Sequence, residues 1–242
     1  MISDLDGLVD DLAAARLGAT FNQYAQSGGD DLGPEAPMIR RENLRRQLHA
    51  RRRAPVVAVA EAAGWRGARY SGLVLLCERQ LVEGGPYRRS SRHPRGWSEP
   101  SATIVQSALA AGGWADSVLL WNLVPTHPAG PVPHSNRRPS RAELEAGAGL
   151  LRRLLDAVRP RHVVAIGRLA GAALGDGVPC VRHPANGGAT ACRAGLAELL
   201  GEWLGRREPY RGKAVSDEGA DGLGESPSIL RVSADSLRSA RR

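Results

Sequence analysis

PVVAVAEAAGWRGARYSG, residues 55–72, decides the fold. After Pro55 comes a run of small and β-branched apolar residues, Val56–Ala60, too short for a helix and without polar alternation. That pattern marks a strand buried on both faces, as in a parallel sheet covered by helices. The run passes straight into Glu61 and a loop bearing glycine and arginine, Ala62–Gly72. Ligands of open α/β sheets sit where the strands end, so a carboxylate here is a candidate functional group. VPCVRHPANGG, residues 178–188, repeats the arrangement: an apolar run, then His183-Pro184 and a small, flexible turn. Two such strand ends bring a Glu and a His to one site.

Working outward, residues 3–17 are expected to form a short helix, and Met38–Arg53 another after a loop of Gly, Asp and Pro. Gly84–Pro100 is basic and turn-rich and is expected to be mobile. A helix over Ser101–Ala111, closed by Gly112-Gly113, precedes a strand at Val118–Leu123. Pro125–Ser140 carries five prolines; a structureless loop this long in a compact domain is more often functional than filler. Ser140 and Glu143 form a capping box for a helix that Pro160 stops. Strands at Val163–Ile166 and Val178–Val181 and a helix at Ala189–Leu204 complete the series. This β-α alternation implies an α/β fold, a three-layer αβα sandwich around a central, mostly parallel four-stranded sheet. The chain divides into an N-terminal helix and loop (1–37), the α/β domain (38–205) and a charged, Gly- and Ser-rich segment (206–242) expected to be a disordered tail.

The 242 residues carry a net charge of +8, nearly all of the cations being Arg. That balance favours an acidic partner such as nucleic acid or an anionic membrane, although abundant Ala, Gly and Arg also fit a GC-rich coding bias. No apolar run approaches the ~20 residues of a membrane span. Three cysteines (Cys77, Cys180, Cys192) without a C-x-x-C pair argue against a disulfide framework. The acidic N-terminus lacks the basic region of a signal peptide. A cytoplasmic protein is expected.

Each candidate residue has a structural reading beside the functional one. His183 is a hydrogen-bond donor to a ligand, or a histidine packed at a strand end against backbone. Glu61 is a site acid, or the partner of Arg66 or Arg69. Asn122, where a strand meets the proline-rich loop, reads a ligand edge by donating and accepting at once, or caps backbone. The spacing of His127, His134 and His183 matches no metal template, so no metal is expected.

AEAAG (60–64), HPAN (183–186), WNLVPTHP (121–128), NRRPSRAE (136–143) and TFNQYA (20–25) together resemble segments of the uracil-DNA glycosylase superfamily. The likeness covers about Thr20 to Leu204. It implies hydrolysis of the N-glycosidic bond to uracil or a related deaminated base in DNA by a monofunctional DNA repair enzyme of the bacterial cytoplasm. Breaking that bond needs a pocket for an extruded base, donors aimed at the departing anion, and a group that stabilises the cationic sugar or guides water. The resemblance makes His183 the donor and Glu61 the supporting acid. It puts Asn122, Ala62, Gly64 and Leu75 around the base and the Asn186-Gly187 loop against DNA, while by charge alone Arg66, Arg69, Arg137, Arg138 and Arg182 are candidates for phosphate contacts. The partner implied is DNA containing uracil or another damaged base, bound by a monomer.

Three departures stand out. Ala63 replaces the usual Pro of the first motif, and Ala62 stands where some branches carry an Asp. Leu75 falls where an aromatic ring stacks on the base. Three cysteines cannot assemble the four-thiolate iron–sulfur cluster of some relatives, so no cofactor is expected. The alternative is a catalytically weak or inactive nucleic-acid-binding protein on the same fold. A small-molecule α/β enzyme is disfavoured, because residues 60–67 have neither a P-loop Lys nor G-x-G-x-x-G spacing.

Overall fold

The computed structural model describes residues 2–205; the expected tail, 206–242, lies outside them. In chain order the elements are α1 (Ile2–Ala14), α2 (Ala36–Ala50), β1 (Val56–Ala62), the short α3 (Ala68–Ser71), α4 (Pro100–Ala111), β2 (Val118–Val124), α5 (Arg141–Val158), β3 (His162–Ile166), α6 (Arg168–Leu174), β4 (Cys180–Val181) and α7 (Ala189–Leu204). The four strands form one all-parallel sheet in the order β2-β1-β3-β4. β1 is central, with Val56 opposite Val118 on one side and His162 on the other.

The two-residue period of a strand sorts its side chains into two cores. Val57, Val59, Leu119 and Trp121 join leucines of α1, α2 and α5 on one face, while Val56, Ala58, Val118 and Leu120 join α4 and α7 on the other. Helices on both faces explain why these strands read as unbroken apolar runs. Gly147 sets the depth of α5: a Cβ there would lie 2.0 Å from the Leu123 carbonyl oxygen, so helix and strand meet backbone to backbone.

Several boundaries differ from expectation. β1 runs on to Ala62, which makes Glu61 a strand residue. β4 is only Cys180–Val181. Pro179 has no N–H to add to the ladder, although its carbonyl accepts from Ala165 N at 2.8 Å, and the Val178 N–H turns to the Gly175 carbonyl at 3.1 Å.

The segment expected to be mobile, 84–100, is instead held on the body by Glu78. This carboxylate is fully buried and accepts from the backbone N–H of Ser90 (2.8 Å), Ser91 (3.0 Å) and Trp97 (3.4 Å) and from the Ser91 hydroxyl. The Asn43 amide fixes Arg88 through both its backbone groups. A single acid 12 residues upstream of Ser90 supplies the order that local composition does not.

A second knot ties the N-terminal loop to α2 and α3. Asp31, 1 % exposed, accepts from Arg40 at 2.9 and 3.1 Å and from Arg69 at 3.0 and 3.3 Å. Burial alone pushes the Asp31 carboxyl up, but the hydrogen bonds and charges of the two guanidiniums outweigh it and hold it below the usual range.

Candidate active site

The carboxyl ends of β1 and β2, the Gly167 turn after β3 and the His183 loop after β4 open into one cleft of about 580 Å³. Of the residues singled out in the sequence, His183, Glu61, Asn122, Ala62, Gly64, Leu75, Arg137, Arg182 and Asn186 line it. Arg66, Arg69 and Gly187 do not.

His183 is half-buried, and burial together with the Arg182 charge lowers its pKa, so the ring is neutral at pH 7. The Ala185 N–H donates to Nδ1 at 3.1 Å, which leaves the ring proton on Nε2. Gly167 makes room for the imidazole: a Cβ there would sit 3.1 Å from that of His183, and its φ of +98° suits glycine.

Asn122 lies opposite Ala60 in the sheet and is 2 % exposed. Its side-chain amide makes no hydrogen bond with any described residue, so it does not cap backbone. Glu61 pairs with neither Arg66 nor Arg69. Arg66 lies over the Trp65 ring, 4.6 Å from its centroid, and Arg69 is bound to Asp31. Burial raises the Glu61 pKa, and the charge of Arg138 opposes the rise.

Leu75 lines the cleft with φ +49°, the left-handed region that non-glycine residues rarely enter, and its carbonyl accepts from Gln106 Nε2 at 2.9 Å. Neither Trp65 nor Tyr70, the rings of the segment after β1, lines the cleft to take the place of an aromatic at Leu75. Trp65 stacks on His134 with centroids 5.1 Å apart, and Tyr70 stacks on Trp97 at 5.3 Å.

The arginines need correction. Arg69 is 7 % exposed and committed to Asp31, so no phosphate can reach it. Arg137 lines the cleft, but both its terminal nitrogens bind the Glu143 carboxylate, at 2.7 and 2.6 Å, within the α5 capping box. The rim cations that pair with no acid among the described residues are Arg138, Arg168 and Arg182, all exposed. Gly187 (φ +76°) has open space beside it, whereas a Cβ on Gly188 would lie 2.0 Å from the His183 carbonyl oxygen. The tight approach at this glycine pair is therefore internal.

Two groups, Arg168 and Glu99, were not picked out from the sequence, and a third, His127, was weighed there only as a metal ligand. Arg168 opens α6 at the rim. His127 donates from Nδ1 to the Ala63 carbonyl at 2.9 Å and so braces the loop after β1. Glu99 lines the cleft from the residue before α4. Its sequence signal was a Glu before Pro100, a residue too long to cap the helix that the proline opens.

A parallel αβα sandwich with a neutral imidazole, an unpaired amide and carboxyls at its carboxyl edge, ringed by arginines, defines a binding protein or enzyme for an anionic, hydrogen-bonding ligand. The chain belongs to the uracil DNA glycosylase superfamily, whose family model matches residues 83–204. The match takes in Glu99, Asn122 and His183, while β1 and its loop lie upstream of it. No match is found among the curated proteins. Membership implies DNA glycosylase chemistry on a DNA substrate in general terms.

Proposed function

We propose that this protein is a monofunctional glycosylase that hydrolyses the N-glycosidic bond of uracil, or of a related deaminated base, in DNA and leaves an abasic site. The observation that carries the reading is the Asn122 amide, buried in the cleft without a hydrogen-bond partner among the described residues. The amide lines the cleft, where a ligand with an adjacent acceptor and donor pairs with both of its polar atoms. The O4 and N3–H of a pyrimidine edge offer that pair.

The chemistry follows from the groups around it. The His183 Nε2–H donates to the carbonyl oxygen of the departing base, where negative charge develops; a donor of this kind is commonly worth about 3–4 kcal/mol. Glu61 opposes the positive charge of the sugar. In this reading water, rather than a Schiff-base amine, takes the sugar carbon; the one lysine of the sequence, Lys213, lies outside the described residues. Arg138, Arg168 and Arg182 neutralise phosphates at the rim. Arg88, Arg89, Arg92 and Arg95, exposed on the segment that Glu78 holds, extend the basic face. The protein is expected to act as a monomer.

The test is a glycosylase assay on oligonucleotides with one uracil, single-stranded or opposite G or A, with alkaline cleavage of abasic sites. Scission that His183→Ala abolishes supports the reading. The second reading, a DNA-binding protein of little catalytic power, is favoured by Ala62, Ala63 and Leu75, which bring neither acid nor ring to the cleft. It predicts no scission at stoichiometric protein, with salt-sensitive DNA binding that survives His183→Ala.

A further inference from the structure

Glu99 stands immediately before α4 yet does not cap it: its side chain makes no cap hydrogen bond, and only its carbonyl receives Thr103, at 3.1 Å from the backbone N–H. The carboxylate runs back instead to the loop after β1. A Cβ on Gly64 would lie 2.2 Å from Oε1, and one on Gly67 would lie 2.3 Å from Oε2. Neither glycine has a left-handed φ. The space above them is therefore taken by this acid, which reaches the cleft wall next to the loop of β1.

The carboxyl accepts no hydrogen bond and forms no ion pair with any described residue. The charged and titratable groups sharing the cleft lining with it are Glu61, His183, Arg137, Arg138, Arg168 and Arg182, and none pairs with it. Burial alone acts on it and raises its pKa to about 7. Glu61 differs, since the Arg138 charge favours its anion. Two carboxyls whose surroundings separate them take different roles.

We propose that the Glu99 carboxylate is the proton acceptor for the water that attacks the sugar, a role that rests on the glycosylase reading above. The water oxygen bonds to C1′, and one water proton passes to a Glu99 oxygen. The C1′–N electron pair leaves with the base, whose carbonyl oxygen the His183 Nε2–H holds. The base anion then takes a proton from solvent. A base that titrates near the working pH combines the correct ionisation with a usable driving force.

Single-turnover release of uracil between pH 5.5 and 8.5 tests this, with wild type, Glu99→Gln and Glu99→Ala compared below their melting temperatures. The wild-type rate is expected to rise with pH through an inflection near 7. Glu99→Gln is expected to lose about 100-fold or more and to lose the inflection, while still binding abasic-site DNA. Sodium formate is expected to restore at least part of the Glu99→Ala rate, which no merely structural role produces. A Glu99→Gln rate close to wild type, an inflection that persists in it, no formate rescue, or a wild-type rate that falls as pH rises through 7 overturns the assignment alone. Absence of release by wild type overturns it together with the glycosylase reading.

Discussion

Replacing Asp31 by Asn tests how the floor of the cleft is held. The carboxylate is 1 % exposed and neutralises two guanidiniums, Arg40 at 0 % and Arg69 at 7 % exposure. It accepts two hydrogen bonds from each and a fifth from the Gly28 N–H at 2.8 Å. Arg40 also donates to the Arg69 carbonyl at 3.2 Å, and Arg69 lies in α3, directly after the glycines of the cleft loop. Asn keeps the shape and one acceptor but leaves two like charges facing each other out of water. Removing one partner of a buried ion pair costs about 3–5 kcal/mol, and two stranded cations put Asp31→Asn near the top of that range. Against a total of about 5–15 kcal/mol the loss is large; at about 2–4 °C per kcal/mol the melting temperature falls by roughly 10 °C or more. The assay is urea unfolding followed by circular dichroism at several pH values. The folded-state pKa of Asp31 is depressed, so its contribution is present above the unfolded value of 3.8 and is lost as pH falls below it. Wild type and variant are therefore expected to differ most at pH 7 and to draw together as pH falls through the depressed folded-state value. A loss under about 1 kcal/mol at pH 7, or a gap that stays constant down to pH 3, would refute the reasoning.

Asn122→Ala is expected to lower kcat/KM for uracil release about 10- to 100-fold, one lost donor–acceptor pair, while affinity for abasic-site DNA stays near wild type. Replacing Arg138, Arg168 and Arg182 together by Ala is expected to flatten the slope of log K against log salt for DNA binding by close to three, whereas Arg69→Lys leaves that slope unchanged. Glu78→Ala frees the segment it holds, so limited trypsin digestion is expected to cut after Arg88, Arg89, Arg92 or Arg95 before the rest of the domain, a pattern wild type does not give.

Long-range pairing divides what was legible in the sequence from what was not. The strands were readable because both faces of each are buried, so Val56–Ala60 and Val118–Leu123 are apolar without alternation. The cleft followed, since Glu61, Asn122 and His183 all stand where such a run ends. Local composition misjudged the basic segment and two arginines. The acid that orders Ser90 and Ser91 comes from Glu78, and Arg69 finds Asp31 across 38 residues. Neither partnership leaves a periodic trace. β4 shrank because Pro179 lacks the donor that a longer pairing needs, a reason present in the sequence but read past. Glu99 escaped notice because its meaning depends on Gly64 and Gly67, more than thirty residues upstream, being empty where it lies.

The position of β1 bears on how the chain is made. Both neighbours of this central strand lie downstream: β2 begins 62 residues after it and β3 still later. At roughly 5–20 residues per second of synthesis, a strand apolar on both faces waits several seconds with both backbone edges unpaired. An exposed edge of that kind is a template for pairing between chains, and parallel pairing across long separations is slow. The same arrangement that gathers Glu61, Asn122 and His183 at one end of the sheet thus leaves the nascent strand open to pairing between chains, and overproduction is expected to raise the insoluble fraction unless translation is slowed or cooled.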